Sequence, residues 1–472
     1  MLMTVTLQNC NVNVTLTTVL LFYYLNYYEF PGVINLFFPF RFNLLAYLCL
    51  PGALMFGVNT TQATEILSLH KAVTKVLIAN PGLAAIDARA KALAALPDQL
   101  ETLPDPRLSI NMLNLPLDSF SFTQENMTQL QLGISQVLPY PGKLALRSLA
   151  ARHEAGAAEA EVKEARLQLV RDVKTVWWNI FYLDRALDVI RRNKTLLAQF
   201  VNVAETRYTV GRGFQHDILL AQLELSKLND RAIAVHNIRK NEGTRLNVLM
   251  TRPAAETIQL AVAVDEILPE LHSVEALQQQ AIHARPGLIA QTERFKAARS
   301  RVDLAKKDYS PDFQVGVIYG LRNGNNLNGR RADFGSVMFS MNLPIYTGSK
   351  QDRAVDQRNA ERMQQKYRLH DQRNQVASQV QRAITDYHRA GEQATLYQQE
   401  IIPLARQTVE AMMAGYQSGT VDFLNLVRSQ TTLYDYETQY WKAFSVAKQA
   451  LARLISAVGE DNVYAEEGAR DE

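Results

Sequence analysis

Side chains that could carry acid–base or metal chemistry are present in this chain, but their spacing does not build a catalytic site. His216 and Asp217 are adjacent, and neighbours on a helix point about 100° apart, which favours a solvated or pore-facing pair over an acid–base or metal pair. None of the eight histidines belongs to a His-Glu-x-x-His motif. Gly142-Lys143 lacks the upstream glycine and the following Ser or Thr of a phosphate-binding loop. The sequence therefore predicts a protein that is not an enzyme and that holds no metal or cofactor.

The charge balance and the cysteine content exclude further classes of protein. Lys and Arg number 50 against 47 Asp and Glu, a net charge of +3, which gives no electrostatic reason to expect a nucleic-acid partner. The only cysteines are Cys10 and Cys49, both within the apolar N-terminal stretch. A disulfide framework or a thiolate metal site is therefore excluded downstream of them. The absence of Cys there suits an oxidising compartment such as the periplasm.

Residues 1–63 have the character of an N-terminal extension that ends in a signal peptide. Arg41 is the first basic residue, an apolar run follows over 44–56, and Thr61-Gln62-Ala63 has the small-x-small pattern of a cleavage site. Residues 1–40 contain no Lys or Arg, and one hypothesis is that translation starts further downstream. A membrane anchor is the alternative, although one Glu and two Pro interrupt the roughly 20 apolar residues that a span needs.

The remainder of the chain contains the same sequence pattern twice. Asn80-Pro81-Gly82-Leu83 returns 205 positions later as Arg285-Pro286-Gly287-Leu288, and Leu138-Pro139 returns at the same displacement as Leu343-Pro344. Units of this length are too long for a solenoid and predict a duplicated domain with internal pseudo-symmetry. The predicted boundaries are 64–257 for the first repeat, 258–458 for the second repeat and 459–472 for an acidic C-terminal tail.

Heptad spacing predicts long helices packed side by side in each repeat. The steps of four and three that define a coiled-coil seam connect Leu169, Val173, Val176, Ile180, Leu183, Leu187 and Ile190. The same seam returns 207 positions later at Val376, Val380, Ala383, Tyr387, Ala390 and Ala394. A helix over about 144–208 would be about 100 Å long at 1.5 Å per residue. Trp177 and Trp178 lie at the first seam, where we expect them to pack between helices rather than form a ligand platform.

Glycines end the outgoing helix of each repeat. Gly211 in the first copy and Gly419 in the second allow the left-handed backbone of a tight turn. We therefore predict helical hairpins whose returning arms cover 214–250 and 421–457. Pro403 lies only in the second outgoing helix, which is predicted to kink or divide there.

Alternating residues predict two strands in each repeat. Apolar side chains alternate with small or polar ones over 313–321 and 336–343, and over 130–135 in the first copy. Beside these segments, Pro106-Arg107-Leu108 returns 205 positions later as Pro311-Asp312-Phe313. Such strands suit a transmembrane β-barrel and also a soluble antiparallel sheet, but the long helices offer no surface to cover a soluble sheet. Four strands cannot close a barrel in hydrocarbon, whereas three chains supply twelve.

Taken in order, these signals resemble the outer-membrane efflux proteins, often called TolC-like, over residues 65 to 460. The resemblance rests on the duplicated Pro-Gly-Leu starts, the Leu-Pro segments after the strands and two hairpin signatures. The signatures are Arg207-Tyr208-Thr209-Val210-Gly211 followed by Asp217-Ile218 and Gln222, and Tyr416-Gln417-Ser418-Gly419 followed by Asn425-Leu426 and Gln430. Tyr208 and Tyr416 correspond at a displacement of 208.

The resemblance implies a mainly α-helical fold with transmembrane β-structure, built from a duplicated unit of two strands plus a long coiled-coil helical hairpin. It implies a homotrimer whose twelve-stranded β-barrel lies in outer-membrane lipid and continues as an α-helical barrel in the periplasm. The implied function is the passive exit duct of a tripartite efflux system in the cell outer membrane. Its implied partners are a periplasmic adaptor protein and an inner-membrane pump, most often of the RND type.

The same resemblance assigns two groups of site residues. Adaptor-binding hairpin tips are expected at Val210, Gly211 and Arg212 and at Ser418, Gly419 and Thr420. A periplasmic aperture is expected at His216, Asp217, Asp422, Asn425 and Arg428. Asn425 and Arg428 stand where the family often has Asp, so the acidic ring of the family is incomplete here. Arg428 is expected to latch onto Asp217 or Asp422.

Two alternatives stay open at this level. Met112 and Met127 lie in a segment that looks like heavy-metal efflux members, and thioether sulfur suits Cu(I), but scattered Met in or beside strands more often faces lipid or packs. The alternative function is a structural periplasmic coiled-coil scaffold or adaptor protein. A scaffold would explain the long helices but not the strands.

Overall fold

The computed structural model describes residues 66–261, 264–324, 329 and 331–465. These residues all belong to one compact unit, Gln62–Glu472. The predicted N-terminal extension and signal peptide, with both cysteines, lie outside the described residues, and so does the end of the predicted acidic tail.

The order of elements repeats along the chain. The first set is β1 (Ile66–Leu67), α1 (Leu69–Ala79), α2 (Pro81–Ala94), α3 (Leu96–Glu101), β2 (Arg107–Leu113), β3 (Gln129–Leu138), α4 (Lys143–Thr209) and α5 (Gln215–Leu249). The second set is β4 (Gln259–Leu260), α6 (Val274–Ala284), α7 (Pro286–Lys307), β5 (Phe313–Leu321), β6 (Phe334–Met341), α8 (Gln351–Leu396), a π-helix (Tyr397–Ile401), α9 (Ile402–Ser418) and α10 (Phe423–Val458). The predicted helical hairpins are confirmed, because both long outgoing paths and both returning arms are present.

Matching caps start both sets of short helices. Ser68 Oγ and Ser273 Oγ each accept a hydrogen bond, 3.3 Å long, from the backbone N–H three residues on. These bonds satisfy donors that a helix leaves free at its start. Pro81 and Pro286 then begin the next helices, at a position where a missing N–H removes no helical hydrogen bond.

The heptad seams form the core between the long helices. α4 packs against α5, α7 and α10, and α8 packs against α7 and α10. The buried seam residues are Val173, Val176, Ile180, Leu183 and Ile190 in α4, and Val376, Val380, Ala383, Tyr387, Ala390 and Ala394 in α8. Trp177 and Trp178 are buried beside them, edge to face with ring centroids 4.9 Å apart, so the packing interpretation of this pair is confirmed.

Pro403 divides the second outgoing helix as predicted. α8 passes into the π-helix before α9 begins. Proline has no N–H to donate, and its ring crowds the carbonyl four residues earlier, so the chain widens the turn that precedes it. The first outgoing helix, α4, contains no proline and continues unbroken for 67 residues.

One four-stranded antiparallel sheet joins the two repeats. Its order is β2-β3-β5-β6, so its central pair brings the second strand of the first repeat against the first strand of the second repeat. Leu138 lies opposite Phe313 at one end of this central pair, and Leu130 lies opposite Leu321 at the other. Within the described residues, the outer edges of β2 and β6 pair with no further strand. Those edges therefore present open backbone hydrogen-bonding groups.

A short parallel pair, β1 with β4, links the starts of the two repeats. Leu67 in β1 is buried, and its carbonyl accepts a hydrogen bond from Trp177 Nε1 at 3.4 Å. Among the residues described, no helix combines the length and the apolar character that crossing a membrane would require.

Candidate functional site: the exposed sheet and the hairpin tips

One face of the four-stranded sheet is apolar and exposed. The register places apolar residues side by side on this face, with Ile110 opposite Leu132 and Val317 opposite Val337. Its exposed members are Leu108, Ile110, Met112, Leu132, Ile134, Val315, Val317, Tyr319, Leu321, Val337, Phe339 and Met341. Soluble monomers rarely expose an apolar surface of this extent, so the face requires an apolar neighbour. The other face carries small and polar side chains such as Ser109, Gly133 and Ser336.

A buried lysine ties the two repeats together where the sheet meets the long helices. The Lys143 ammonium lies 3.1 Å from Asp308 and 2.9 Å from Asp312, and the Lys143 side chain is 3% exposed. Asp312 Oδ1 also accepts a hydrogen bond from the backbone N–H of Tyr140 at 2.8 Å. The lysine that matches it at the 207-residue displacement of the heptad seams is Lys350. Lys350 is exposed and contacts no carboxylate among the described residues.

The first hairpin tip is small and open. Gly211 has a φ of +71°, and nothing beyond its chain neighbours lies within 4 Å of the position a Cβ would take. Val210 and Phe214 are 62% and 67% exposed beside it, and Arg212 is exposed as well. Val210, Gly211 and Arg212 therefore form the end of this hairpin, and no described side chain covers Gly211.

The second tip is a turn closed by its own hydrogen bonds. Gly419 has a φ of +86° and donates its N–H to Tyr416 O at 3.1 Å. The hydroxyls of Ser418 and Thr420 both donate to Gly415 O, at 3.0 and 3.1 Å. Ser418, Gly419 and Thr420 are all exposed. This tip is thus accessible, and its two hydroxyls add hydrogen bonds to the backbone bonds that both turns make.

Arg207, in the last turn of α4, binds the backbone of the second tip. Its guanidinium donates to the backbone carbonyls of Tyr416 and of Gln417, the latter at 2.9 Å, and to Arg212 O at 3.1 Å. It also lies 4.8 Å from the centroid of the Tyr416 ring. Carbonyls at a helix C-terminus carry partial negative charge, which favours a cation there. Sequence reasoning did not identify Arg207 as a site residue, although it begins the first hairpin signature.

Asp217 is buried beneath the second tip, so this carboxylate, expected in a solvated or pore-facing pair with His216, is not solvated. Tyr416 Oη donates to Asp217 Oδ2 at 3.3 Å, and Asp217 is only 7% exposed. His216 Nε2 lies 3.3 Å from Asp217 Oδ1. The two side chains do meet, although neighbours on a helix normally diverge, and Phe214 stacks on the imidazole with ring centroids 5.1 Å apart.

The protonated phenol of Tyr416 keeps this link in place at physiological pH. Burial, together with the charge of Asp217 and the hydrogen bond to it, raises the pKa of Tyr416 to about 12, against the opposing effect of Arg207. The phenol therefore stays protonated, and it remains a hydrogen-bond donor to the carboxylate.

The remaining aperture residues lie in the first turns of α10. Asp422 caps this helix, since its Oδ1 accepts from the Asn425 N–H at 2.8 Å and its Oδ2 accepts from Asn425 Nδ2 at 3.2 Å. Arg428 is exposed, and within the described part of the chain its side chain contacts neither Asp217 nor Asp422. Among the described residues the expected latch is therefore not formed: Asp422 caps α10, and Asp217 is buried against Tyr416.

The methionines that motivated a metal hypothesis are both exposed. Met112 is exposed on the apolar face opposite Leu130, and Met127 is exposed in the loop before β3. Over the described residues, no group of three or more His, Cys, Asp and Glu is placed to hold a metal ion. These positions agree with lipid contact or packing.

A family comparison matches both repeats. The chain matches the model of one protein family, described as Outer membrane efflux protein, over residues 72–251 and again over 277–460. No curated protein matches the chain.

Solved structures share the fold at low sequence identity. The outer membrane protein VceC of Vibrio cholerae gives a TM-score of 0.70 at 18% identity, over 83% of this chain and 96% of VceC. The MtrE outer membrane channel of Neisseria gonorrhoeae, in its open state, gives 0.70 at 17% identity, over 83% of this chain and 89% of MtrE. CusC, a protein that forms a transmembrane channel, gives 0.70 at 15% identity, over 84% of this chain and 93% of CusC. At these identities the likeness shows the fold, and function has to be argued from the sites.

Proposed function

This chain belongs to the outer membrane efflux protein family, and we propose that it is the passive exit duct of a tripartite efflux system. The observation that carries the proposal is the exposed apolar face of the four-stranded sheet, which lies at one end of helices about 100 Å long. Such a face suits membrane lipid, and helices of this length suit a duct that crosses the periplasm. The protein conducts substrate and is not an enzyme, so no residue has a catalytic role.

We assign the assembly as a homotrimer. One chain contributes four strands with open edges at β2 and β6, and open backbone groups are too costly to remain in hydrocarbon. Three copies supply twelve strands, which is within the size range of outer-membrane barrels. The apolar face then contacts outer-membrane lipid, and the polar face lines a water-filled lumen.

Arginine substitutions on the two faces test the lipid contact. An Arg on the lipid face costs about 2 to 4 kcal/mol near the bilayer midplane, so Val317→Arg and Val337→Arg should both reduce the yield of membrane-inserted trimers. Ser336→Arg is the matched control, because Ser336 precedes Val337 but points to the other face. If the Val317 and Val337 variants insert and assemble as well as the parent, the apolar face does not meet lipid.

A periplasmic scaffold or adaptor remains the rival function. It accounts for the long helices, but it leaves the exposed apolar sheet without a partner. Membrane fractionation of the parent protein separates the two functions. A heat-modifiable trimer in the outer-membrane fraction supports the duct, whereas a soluble periplasmic protein supports the scaffold.

The hairpin tips are the proposed contact with a periplasmic adaptor protein, through which an inner-membrane pump of the RND type would deliver substrate. Gly211 gives the cleaner test, since nothing surrounds it, whereas Arg207 Nη2 lies 3.4 Å from the Cβ position at Gly419. Gly211→Trp should leave folded trimers that no longer crosslink to the adaptor, and the cells should lose efflux. Gly211→Asn is the control, because Asn tolerates a positive φ and adds little bulk. Retained crosslinking in the Trp variant would mean that docking happens elsewhere.

We further propose that His216, Asp422, Asn425 and Arg428 line the periplasmic aperture, with the buried Asp217 supporting its wall. Among the described residues of its own chain Arg428 meets no carboxylate, so the latch we propose reaches a carboxylate of a neighbouring chain. Arg428→Ala should therefore increase leakage of bulky antibiotics and raise the single-channel conductance. Arg406→Ala is the control, because Arg406 is an exposed arginine that pairs with Glu437 at 3.3 Å within the chain. If Arg428→Ala leaves the leakage of bulky antibiotics unchanged, the latch is contradicted.

Heavy-metal cation efflux is the finer substrate hypothesis, with drug efflux as its competitor. Thioether sulfur suits soft metals, but Met112 on the apolar face supports lipid contact instead. Deleting the gene and comparing tolerance to copper, silver and zinc with tolerance to dyes and detergents decides between them. Sensitivity to metals alone supports the metal hypothesis, and sensitivity to dyes and detergents alone contradicts it.

A further inference from the structure

A cavity of about 280 Å³ lies between three helices of the long hairpins, away from both tips. Its walls come from α4, α5 and α10 of one chain. Leu197, which lines it on α4, lies about 20 Å from the Gly211 turn at 1.5 Å per residue. The volume is close to the lower end of the range of about 300–1,000 Å³ for small-molecule sites, and a single water fills only about 30 Å³. The cavity therefore has room for a small organic molecule.

The deepest part of this cavity is largely apolar. Leu197 and Val427 line it and are buried, and Leu228 lines it and is half-buried. The ring of Tyr434, also buried, belongs to the same wall. Carbon surface of this kind favours a ligand with an apolar body, since contact removes apolar surface from water on both sides.

One buried acceptor in the wall has no donor. Asn193 Nδ2 donates to Val189 O at 2.9 Å, and a carbonyl can only accept, so Asn193 turns its Oδ1 toward Gln430. Gln430 Nε2 donates to that oxygen, which leaves Gln430 Oε1 without a partner among the described residues. Gln430 is 5% exposed and lines the cavity, and a buried acceptor without a donor is costly. An N–H placed in the cavity can supply the missing donor.

The charged side chains at the mouth leave a carboxylate open rather than a cation. Lys227 Nζ lies 2.6 Å from Glu224 Oε1, and Arg231 Nη1 lies 3.3 Å from Asp435 Oδ1. Both cations of the mouth therefore have a carboxylate. Asp230 is exposed and also lines the cavity, and it forms an ion pair with none of the cations in the described part of the chain. The open groups of the cavity are thus acceptors, and a charged donor complements them.

We infer that this cavity binds a small amine. The apolar body of the amine lies against Leu197, Leu228 and Val427, and its ammonium group lies on the side of the open acceptors, Gln430 Oε1 and the Asp230 carboxylate. A small anion is disfavoured, because Lys227 and Arg231 already have acidic partners. The inference goes beyond the proposed function and does not depend on it, since one chain forms the whole cavity.

Three probes that share an aryl body test the chemistry of the ligand. Phenethylamine carries an ammonium group, phenethyl alcohol carries a hydroxyl group, and phenylacetate carries a carboxylate. Isothermal titration calorimetry of the purified, full-length protein in one detergent compares them. We expect one phenethylamine to bind per chain, the alcohol to bind more weakly, and phenylacetate to show no saturable binding.

Variants in the wall of the cavity test the location. Gln430→Met keeps most of the side-chain shape but removes the acceptor, and it should weaken phenethylamine binding about tenfold. Gln222→Met is the control, because Gln222 matches Gln430 at the displacement of 208 but is exposed. Glu224→Gln should lower the preference for the amine over the alcohol about threefold, the scale of a partly exposed ion pair. Glu410→Gln is its control, because Glu410 is exposed on α9 outside the cavity.

A bulky substitution tests the cavity itself. Leu228→Trp should fill the space and abolish saturable binding of both the amine and the alcohol. Circular dichroism and the mass of the assembly identify the variants that fold. Where Gln430→Met or Leu228→Trp does not fold, Glu224→Gln supplies the test, because it changes only a half-buried carboxylate.

Four results would overturn the inference. Heat that never saturates, or binding that is the same in Leu228→Trp as in the parent, would show partition into detergent only. No heat with any probe would show a cavity that holds water only. Phenylacetate that binds as tightly as phenethylamine would contradict the assignment of an amine.

Discussion

The two repeats share a sequence pattern, yet matching positions have different environments. Lys143 of the first repeat is buried against two carboxylates, whereas its match Lys350 is exposed. Tyr416 of the second repeat is buried beneath the tips, whereas its match Tyr208 is 48% exposed. In both cases the buried member packs against the other repeat of the same chain. The comparison teaches that the repeat sets where a residue lies along the fold, while the neighbouring repeat sets whether it is buried.

The largest expected difference in the free energy of unfolding concerns the residue before each Pro-Gly-Leu segment. Arg285 donates to Glu164 at 3.1 Å, to Gln379 at 2.6 Å and to Ala457 O at 3.2 Å, and it is 8% exposed. Removing one member of a buried ion pair costs about 3–5 kcal/mol, so Arg285→Ala should lower the free energy of unfolding by about that amount. The matching residue of the first repeat is Asn80. It mainly caps a helix, since its Oδ1 accepts a hydrogen bond from the Leu83 N–H.

Asn80→Ala is the control for this prediction, with an expected loss of about 1 kcal/mol. Denaturant unfolding of the purified protein, followed by circular dichroism, measures both variants. Equal losses at the two positions would show that the Arg285 network adds nothing beyond a helix start.

The two matching lysines give the next largest difference. Lys143→Ala leaves Asp308 and Asp312 without their cation, and because both carboxylates are partly exposed, the loss should be about 2 kcal/mol, less than for a fully buried pair. Lys350→Ala should change the free energy of unfolding by less than about 0.5 kcal/mol. The residues that match the two aspartates are Leu103 and Arg107, so Lys350 has no equivalent acidic pair. Thermal unfolding midpoints that fall equally in the two variants would contradict the comparison.

The two matching tyrosines separate the tips by a smaller effect. Tyr416→Phe removes the donor to the buried Asp217 carboxylate, which should cost about 1 kcal/mol and speed backbone hydrogen exchange around the second tip. Tyr208→Phe removes only an exposed hydroxyl and should leave exchange unchanged. Single-channel conductance provides a second measurement, because a loosened tip should open more often. If backbone hydrogen exchange is the same in the two variants, the Tyr416 hydroxyl does not stabilise the second tip.

The smallest effect concerns acid stability at the contact between α4 and α7. His153 Nδ1 lies 2.7 Å from Glu293 Oε2. Burial raises the pKa of Glu293, but hydrogen bonds from Lys296 and His153 outweigh it and hold that pKa below its usual value. A carboxyl with a lowered folded pKa contributes stability above its unfolded pKa of about 4.3, and this contribution is lost as pH falls through the folded value.

His153→Gln should therefore lower stability slightly near pH 7 and leave it almost unchanged below the folded pKa of Glu293, so that the variant loses less stability on acidification than the parent. The match of His153 in the second repeat is Ala360, so that repeat provides no second copy of this ion pair. Unfolding midpoints measured between pH 3 and pH 7 check the prediction, and parallel pH profiles for parent and variant would contradict it.

Much of the architecture follows from the sequence because it depends on local periodicity. The heptad steps around Val173 and Val380, the turns at Gly211 and Gly419, and the division near Pro403 all lie where the sequence predicts them. Each of these features expresses a backbone preference or a repeating apolar position, which neighbours in the sequence are enough to reveal.

The candidate site depended on contacts between residues far apart in the sequence. Sequence reasoning expected Asp217 in a solvated or pore-facing pair and did not identify Arg207, although both belong to the quoted signatures. Their partner Tyr416 lies about two hundred residues away and reaches them only once the hairpins pack. The sequence by itself therefore determined the repeat, the lengths of its helices and the two faces of its strands. Only the tertiary structure decided which copy of each repeated residue is buried, because burial depends on which other repeat packs against it.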